Sequence, residues 1–410
     1  MTTAERPVIV PLPPHLTHPF APAGRADPGP AYRWLQVHDP VHYDPYSRMW
    51  WLTSHAACGA ALRDNRLSAA LGQRERARDD ALPPSMLTTD PPEHQRLRNP
   101  GQLLLGPAAV RSLEGVLGEE IDALIGALPD RLDAVEAIGA PFATAVFGRL
   151  FGLPRTDWAR FELLAGAASV NLDPLAGSER AAAGRAAMAE LSAFLTAHAR
   201  TAVAGPLGRL MADDRITERE KTGILGLAVV GGWQPLAEMV GNALYWLLPR
   251  PEAVAALRGS GGGDARHGDE DGGAARLLVD ELLRLEAPIP FTARVATEEV
   301  PLPGGTVPRD GRVLIIIAAA NRDPAAFEDP DELRPGRTPN PQLAFGAGTH
   351  FCLAAQLVRT ASALLLPRLL GGFPGLALTT APDALAWDPR PIPRRLLRCP
   401  VSTTGSADAD

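Results

Sequence analysis

The chain has 410 residues, 46% hydrophobic and 21% charged, with a formal net charge of -7. That composition suits a large buried core and gives no electrostatic reason to expect nucleic acid or an anionic membrane as partner. With only Cys58, Cys352 and Cys399 a disulfide framework is not expected, so a special cysteine here would serve ligation or reactivity.

In chain order, the opening MTTAERPVIVPLPPHLTHPF is broken by prolines. It has neither the h-region of a signal peptide nor an apolar stretch of about 20 residues. The expectation is a soluble, cytoplasmic protein with an extended arm over 1–20. Met49 to Thr53 (MWWLT) reads as a strand. From Ala108 to Phe194, segments such as VRSLEGVLGEEIDALIGAL repeat apolar residues three and four apart with prolines at the breaks, which predicts successive amphipathic helices. Thr217 and Glu220 form a capping box ahead of one longer, more apolar helix. Pro235 lies inside it and crowds the carbonyl of Gly231, so the backbone is expected to open there. GSGGGDARHGDEDGG, residues 259–273, reads as a flexible loop, because it cannot bury enough apolar surface to offset its ordering entropy. Arg312 to Ile317 reads as a strand, Leu376 to Thr380 as a further candidate, and 403–410 as a disordered tail. The fold class expected is mainly α with a minor β part.

Near the C-terminal end, FGAGTHFC (345–352) runs directly into a leucine-rich helix. It lacks the lysine and Ser/Thr of a phosphate-binding loop and does not match GxGxxG. His350 and Cys352 have no second Cys or His pair at zinc spacing. Gly346 and Gly348 allow backbone conformations closed to other residues, so N-H groups can turn toward the sulfur, and the following helix start adds positive potential. A thiolate held this way suits an iron ligand, although a lone cysteine is more commonly a buried free thiol.

FGAGTHFC resembles, position by position, the haem-ligand loop F-G-x-G-x-H-x-C of the cytochrome P450 family. The resemblance extends through ANRDPAAFEDPDELRPGRTPNPQLAFG, which is similar to that family's meander, and covers the chain from about Asp90 onward. It implies a single P450 domain over 21–402 holding haem b (iron protoporphyrin IX). Cys352 would be the proximal iron ligand, Phe345 would pack beside it, and His350 would reach a propionate. Ala354 stands where many members carry glycine, which should tighten the contact with the porphyrin. In TDPPEHQRLR, His94 and Arg98 would hold propionates, with Arg294 of PFTARVATEE as a third cation. In VDELLRLEAP, Glu281 and Arg284 lie at i, i+3, alone a weak surface pair; the resemblance implies that Arg337 joins them to brace the proximal side.

The long helix is where the sequence departs from the family. The oxygen-binding signature A-G-x-D/E-T aligns with Gly231, Gly232, Trp233, Gln234 and Pro235, so both acid and alcohol are missing. Gln234 can hydrogen-bond but carries no proton of useful acidity. The expected outlets are ordered water with a substrate hydroxyl or amine, hydrogen peroxide in place of dioxygen and reductase, or an oxidative coupling or rearrangement. By resemblance, Val230, Trp233, Ile289, Phe291, Thr292 and Ile392 would line the substrate pocket. The segments around Gln73–Thr88 and Ala165–Leu175 would complete it, and the aromatic rings suggest a bulky apolar or aromatic guest, though each suits plain core packing equally. The function implied is a haem-thiolate oxidative enzyme of bacterial secondary metabolism, with electrons from NAD(P)H through a reductase and a ferredoxin steered by Arg96 and Arg359. The rival is a haem-binding sensor or scaffold that has lost oxygen activation.

Overall fold

The structure is a computed structural model and describes residues 11–71, 83–172, 177–200, 205–259, 270–390 and 392–405. Helices dominate, and most of the apolar core lies between them. Phe142, Phe147 and Phe151 from the Ala140–Phe151 helix meet Phe161, Leu191 and Leu195 from the two helices that follow. Each such side chain contributes about 1.5–3 kcal/mol by leaving water.

The longest helical stretch is Glu218–Leu247, 30 residues, or about 45 Å at 1.5 Å per residue. Its start is fixed as its sequence dictates: the Thr217 hydroxyl accepts from the Glu220 N-H, and the Thr217 N-H donates to the Glu220 carboxylate at 2.7 Å. The stretch is long and apolar enough to cross a membrane, yet 78% of its most apolar window is buried inside the fold. Midway, Val229–Trp233 widens to a π-helix before α-helix resumes at Gln234. The widening sits where Pro235 offers no N-H to the preceding turn.

A five-stranded sheet has the order β1 (Val41–Asp44), β2 (Met49–Leu52), β8 (Arg312–Ile315), β5 (Thr292–Ala296), β3 (Leu67–Ser68). β2 and β8 are parallel, with Trp51 opposite Leu314; β5 runs antiparallel to β8, with Arg294 opposite Val313. β4 (Arg131–Asp133), β10 (Pro400–Ser402) and β9 (Ala377–Leu378) form a second sheet, and β6 (Val300–Leu302) with β7 (Gly305–Val307) a hairpin. The β8 strand ends earlier than its apolar run, because Ile317–Ala320 turns into a short helix; such a run is buried either way, so periodicity cannot separate the two.

Three boundaries differ from the sequence reading. Glu270–Gly273 is the first turn of the Glu270–Leu285 helix rather than loop, while residues 260–269 lie outside the described set. Residues 11–20, expected as an extended arm, turn and pack down: His18 bonds Asp44 at 3.1 Å, and the Phe20 ring lies 4.8 Å from that of Trp51. Thr403 is also held, its N-H donating to the Asp130 carbonyl at 2.9 Å. For 270–273 and the tail, local polarity suggested freedom, and in each of the three a contact beyond the segment supplies the order.

Candidate active site

The cysteine loop is built by its glycines. Gly346 and Gly348 have φ of 70° and 67°, the left-handed region that other residues enter at a cost of about 1–2 kcal/mol. A Cβ on Gly348 would also lie 2.7 Å from the Leu62 carbonyl oxygen. These turns bring the Cys352 N-H onto the Phe345 carbonyl at 2.8 Å. The Ala355–Gly372 helix then begins three residues on. Ala354 has φ of -87°, an ordinary value for a residue with a Cβ. The Arg359 guanidinium stacks 4.6 Å from the Phe345 ring centre.

Cys58 and Cys399 are fully buried and Cys352 partly so, and the three are surrounded differently. Burial raises the Cys352 thiol pKa, while the Ala354 N-H and the charges of Arg98 and Arg359 act to lower it. Cys58 donates to the Leu52 carbonyl at 3.1 Å, and burial, with Asp323 nearby, pushes its thiol far up. Cys399 is pushed up to about 12 by burial, with Asp133 adding to it. Only Cys352 among them has cations to favour a thiolate.

Around the same loop stands a group of cationic or potentially cationic side chains with little to balance them. His94 is 1% exposed and neither ring nitrogen has a hydrogen-bond partner; its ring lies 4.4 Å from that of His350. Arg294 is 4% exposed and, among the described residues, bonded only to the Thr292 hydroxyl at 3.0 Å and the Ala293 carbonyl at 2.7 Å. Desolvation lowers its pKa to about 10, and likewise lowers that of Arg98. His350 is brought down to about 4 by burial, then by Arg294 and His94, and so is neutral at neutral pH. The carboxylate acting on these groups, Asp90, accepts from the Ala69 N-H at 2.9 Å and from the Ser68 hydroxyl. Buried cations and orphaned imidazole nitrogens fit an anionic ligand that bonds them. Two carboxylates beside a thiolate-ligated metal, as on a haem with its propionates, meet this demand.

Behind the loop, Glu281 joins Arg284 and Arg337. Arg284 donates to both Glu281 oxygens at 2.8 Å, and the Arg337 Nε reaches them at 2.9 and 3.0 Å. Arg284 also donates to the carbonyls of Asn321, Pro330 and Glu332. This ties the Glu270–Leu285 helix to the segment that leads into the cysteine loop.

These geometries are those of a haem-thiolate protein, and the comparisons decide the family. A family model described as Cytochrome P450 matches residues 275–380. The chain is 33% identical over 407 residues to nocardicin C N-oxygenase of Nocardia uniformis subsp. tsuyamanensis, covering 94% of this chain and 98% of the relative. The chain is a cytochrome P450. This P450 is also 31% identical over 400 residues to the monooxygenase PikC of Streptomyces venezuelae, covering 92% and 91% of the two chains. The crystal structure of CalO2 superposes on it with a TM-score of 0.83 at 30% identity, over 94% of this chain and 98% of that one. It is therefore a haem monooxygenase with the mainly helical, single-domain P450 fold.

On the distal side, the long helix is buried around nearly its whole circumference between Gly223 and Leu244; Leu227, Gly231 and Pro235 are the residues there that retain accessible surface. They recur every four positions, so they form one stripe. Gly232 faces the opposite way, where a Cβ would lie 2.6 Å from the Phe147 ring.

Trp233 does not face that stripe. Its ring N-H donates to the Thr144 hydroxyl at 3.1 Å, and that hydroxyl donates to Glu162 at 2.8 Å, which makes Trp233 core packing beside buried Val230. Phe291 and Ile392 belong to a separate cluster with Tyr32 and Trp51, with Ile289 packed against it. The Phe291 ring lies 5.4 Å from that of Phe20. The expected lining thus divides between two cores, because residue type does not reveal which face a side chain occupies. Of the two expected pocket segments, residues 73–82 and 173–175 lie outside the described set. Arg96 and Arg359, expected to steer an acidic partner, are engaged: Arg96 with Glu93 and Glu220, and Arg359 with Asp280 at 2.8 Å.

Sequence reasoning missed Glu238. It lies one turn beyond Gln234, is 2% exposed and accepts from Gln234 and from Arg395 at 3.1 Å. The signal available was Gln234-x-x-x-Glu238-x-x-x-Asn242, three polar residues at helical spacing in an otherwise apolar segment.

Proposed function

We propose that this P450 oxygenates a bulky, apolar small molecule of bacterial secondary metabolism in the cytoplasm, with electrons passing from NAD(P)H through a reductase and a ferredoxin. The observation that supports an apolar guest is the accessible stripe Leu227–Gly231–Pro235, which offers hydrocarbon and a bare backbone but no charge. Pockets of this kind are mostly apolar with few polar anchors. Similarity to nocardicin C N-oxygenase and the monooxygenase PikC supports this reading.

When bound, haem supplies the activation of dioxygen. Cys352 would ligate its iron, and His94, Arg98, Arg294 and His350 would hold its propionates. Arg359 and the Ala354 N-H stabilise the thiolate form of Cys352, and the Glu281–Arg284–Arg337 group keeps the loop in register. The bare Gly231 and the widened backbone before Pro235 leave room where the family places an alcohol, so space for oxygen comes from backbone geometry.

The test is to titrate a fatty acid, a polycyclic aromatic and a macrolide polyketide into the haem-loaded protein while following the Soret band, then add ferredoxin and reductase surrogates. The expected result is a low- to high-spin shift with at least one of them and a product heavier by one oxygen. A protein that shifts only with charged, hydrophilic compounds contradicts the apolar assignment.

A further inference from the structure

The long helix lacks an acid at 234 and an alcohol at 235, yet the next turn carries a carboxylate. Gln234, Glu238 and Asn242 lie four residues apart on one face, 9%, 2% and 2% exposed. Gln234 donates its amide to Glu238 Oε1, and Arg395 donates to the same oxygen at 3.1 Å. Glu238 Oε2 is buried with no hydrogen-bond partner among the described residues, as is Asn242 Oδ1. With both donors on Oε1, the oxygen able to carry a proton is Oε2.

A second shell fixes this arrangement. Arg395 Nε also donates to Asp388 at 2.8 Å, and Asp388 is gripped by the Arg390 side chain. Arg390 lines a cavity of about 300 Å³ that also touches Arg25, Tyr245, Glu286 and Arg394. The polar chain therefore leads from the cavity wall to the turn that bears Gln234 and Pro235. Sharing Arg395 with Asp388 weakens its hold on Glu238, and burial dominates: it pushes the Glu238 carboxyl up to about 7, against the lowering effects of Arg395, Gln234 and Arg390. A carboxyl poised near neutrality suits general acid work.

We propose that Glu238 is the proton-donating group of the distal side, standing one turn beyond the family's acid, with Gln234 and Arg395 positioning it. The proposal rests on the haem-monooxygenase reading. The reaction served is R-H + O2 + 2 e- + 2 H+ → R-OH + H2O. The O-O bond breaks, one oxygen enters the substrate and the other leaves as water with both protons. The electrons come from an iron-sulfur protein, and each proton leaves Glu238 Oε2, with bulk water as the proton source that restores the carboxyl for the next transfer. When the protons arrive by another route and the O-O bond does not break, the same O2, two electrons and two protons leave as H2O2 and R-H is unchanged.

The experiment uses haem-loaded protein whose reduced carbon monoxide spectrum has already established thiolate ligation, so failure of the parent reading shows first and separately. Infrared spectra of wild type, Glu238→Gln and Gln234→Leu are recorded across pH. The expected result is a protonated carboxyl band that titrates near pH 7 in wild type, is absent in Glu238→Gln, and titrates at higher pH in Gln234→Leu, which loses a donor to the carboxylate. NADPH oxidation with surrogate ferredoxin and reductase should release roughly tenfold more peroxide per NADPH in Glu238→Gln, a small part of what a general acid contributes. Wild type without a neutral-range carboxyl band, or an unchanged peroxide yield in Glu238→Gln, overturns the proposal. Should Glu238→Gln not fold, an unmoved midpoint in Gln234→Leu overturns it equally.

Discussion

Glu281 and Arg284, one helical turn apart, face each other with both side chains fully shut off from solvent, and Arg337 closes the group from the segment ahead of the cysteine loop. Ions so buried are stable only as a set, since removing one leaves the others unpaired in a medium of low dielectric. Glu281→Gln should therefore cost about 3–5 kcal/mol, seen as a lower urea midpoint and a fall in haem bound per chain. Wild-type stability in this variant would show that the pair contributes no more than a surface contact.

Arg294 predicts effects of opposite sign on two measurements. With its neighbours limited to a hydroxyl and a carbonyl, the buried guanidinium is a burden to the chain without haem and an anchor once a propionate is present. Arg294→Met should leave the melting temperature of the haem-free protein unchanged or raised. It should speed haem loss to apomyoglobin roughly 10- to 100-fold, corresponding to a charged hydrogen bond of about 1.5–3 kcal/mol. Equal destabilisation of both forms would show that Arg294 serves packing alone.

Gly348 couples the loop to its surroundings. Its left-handed φ and its approach to the Leu62 carbonyl leave no room for a side chain, so Gly348→Ala should shift the loop at a cost of about 1–2 kcal/mol. Haem occupancy should fall, while far-ultraviolet circular dichroism stays near wild type. Gly336, whose added Cβ would meet nothing within 4 Å, is the control and should tolerate alanine.

Glu238 gives stability a pH dependence of definite sign. Its pKa rises from 4.5 in the unfolded chain to about 7 in the fold, so the native state binds the proton more tightly. The stability due to this group is complete below about pH 4.5 and is lost as pH rises through about 7. Asp388, held down to about 2 by Arg390 and Arg395 against the effect of burial, has the opposite sign and a lower window. Subtracting the melting temperatures of Glu238→Gln from those of wild type across pH 4–8.5 should isolate a falling curve; a flat difference contradicts the assignment.

Much of the proximal side is legible in the sequence because its chemistry sits in short segments with fixed spacing. FGAGTHFC, Glu281-x-x-Arg284 and His94-x-x-x-Arg98 each place their partners by local geometry, and the structure brings them together around one loop. The distal side is less legible. Trp233 and Gly231 are two residues apart, about 200° around a helix, so the aromatic within the signature faces the Ala140–Phe151 helix while the glycine lies on the accessible side beside Leu227. Glu238 escapes notice because its partner Arg395 is 157 residues away in sequence, and only the fold closes that distance. Glu270–Gly273 reads as loop from its glycines and acids, but Ala275, Leu278 and Leu282 behind it are buried and draw the helix back one turn.

The most direct measurement is the carbon monoxide difference spectrum of the reduced, haem-loaded protein, for wild type beside Cys352→Ser. Thiolate ligation by Cys352 predicts the shifted Soret band diagnostic of a thiolate-ligated iron in wild type, and loss of that shift in the serine variant. An unshifted band in fully folded wild type, or a shifted one that survives the substitution, would contradict the ligand on which the account rests.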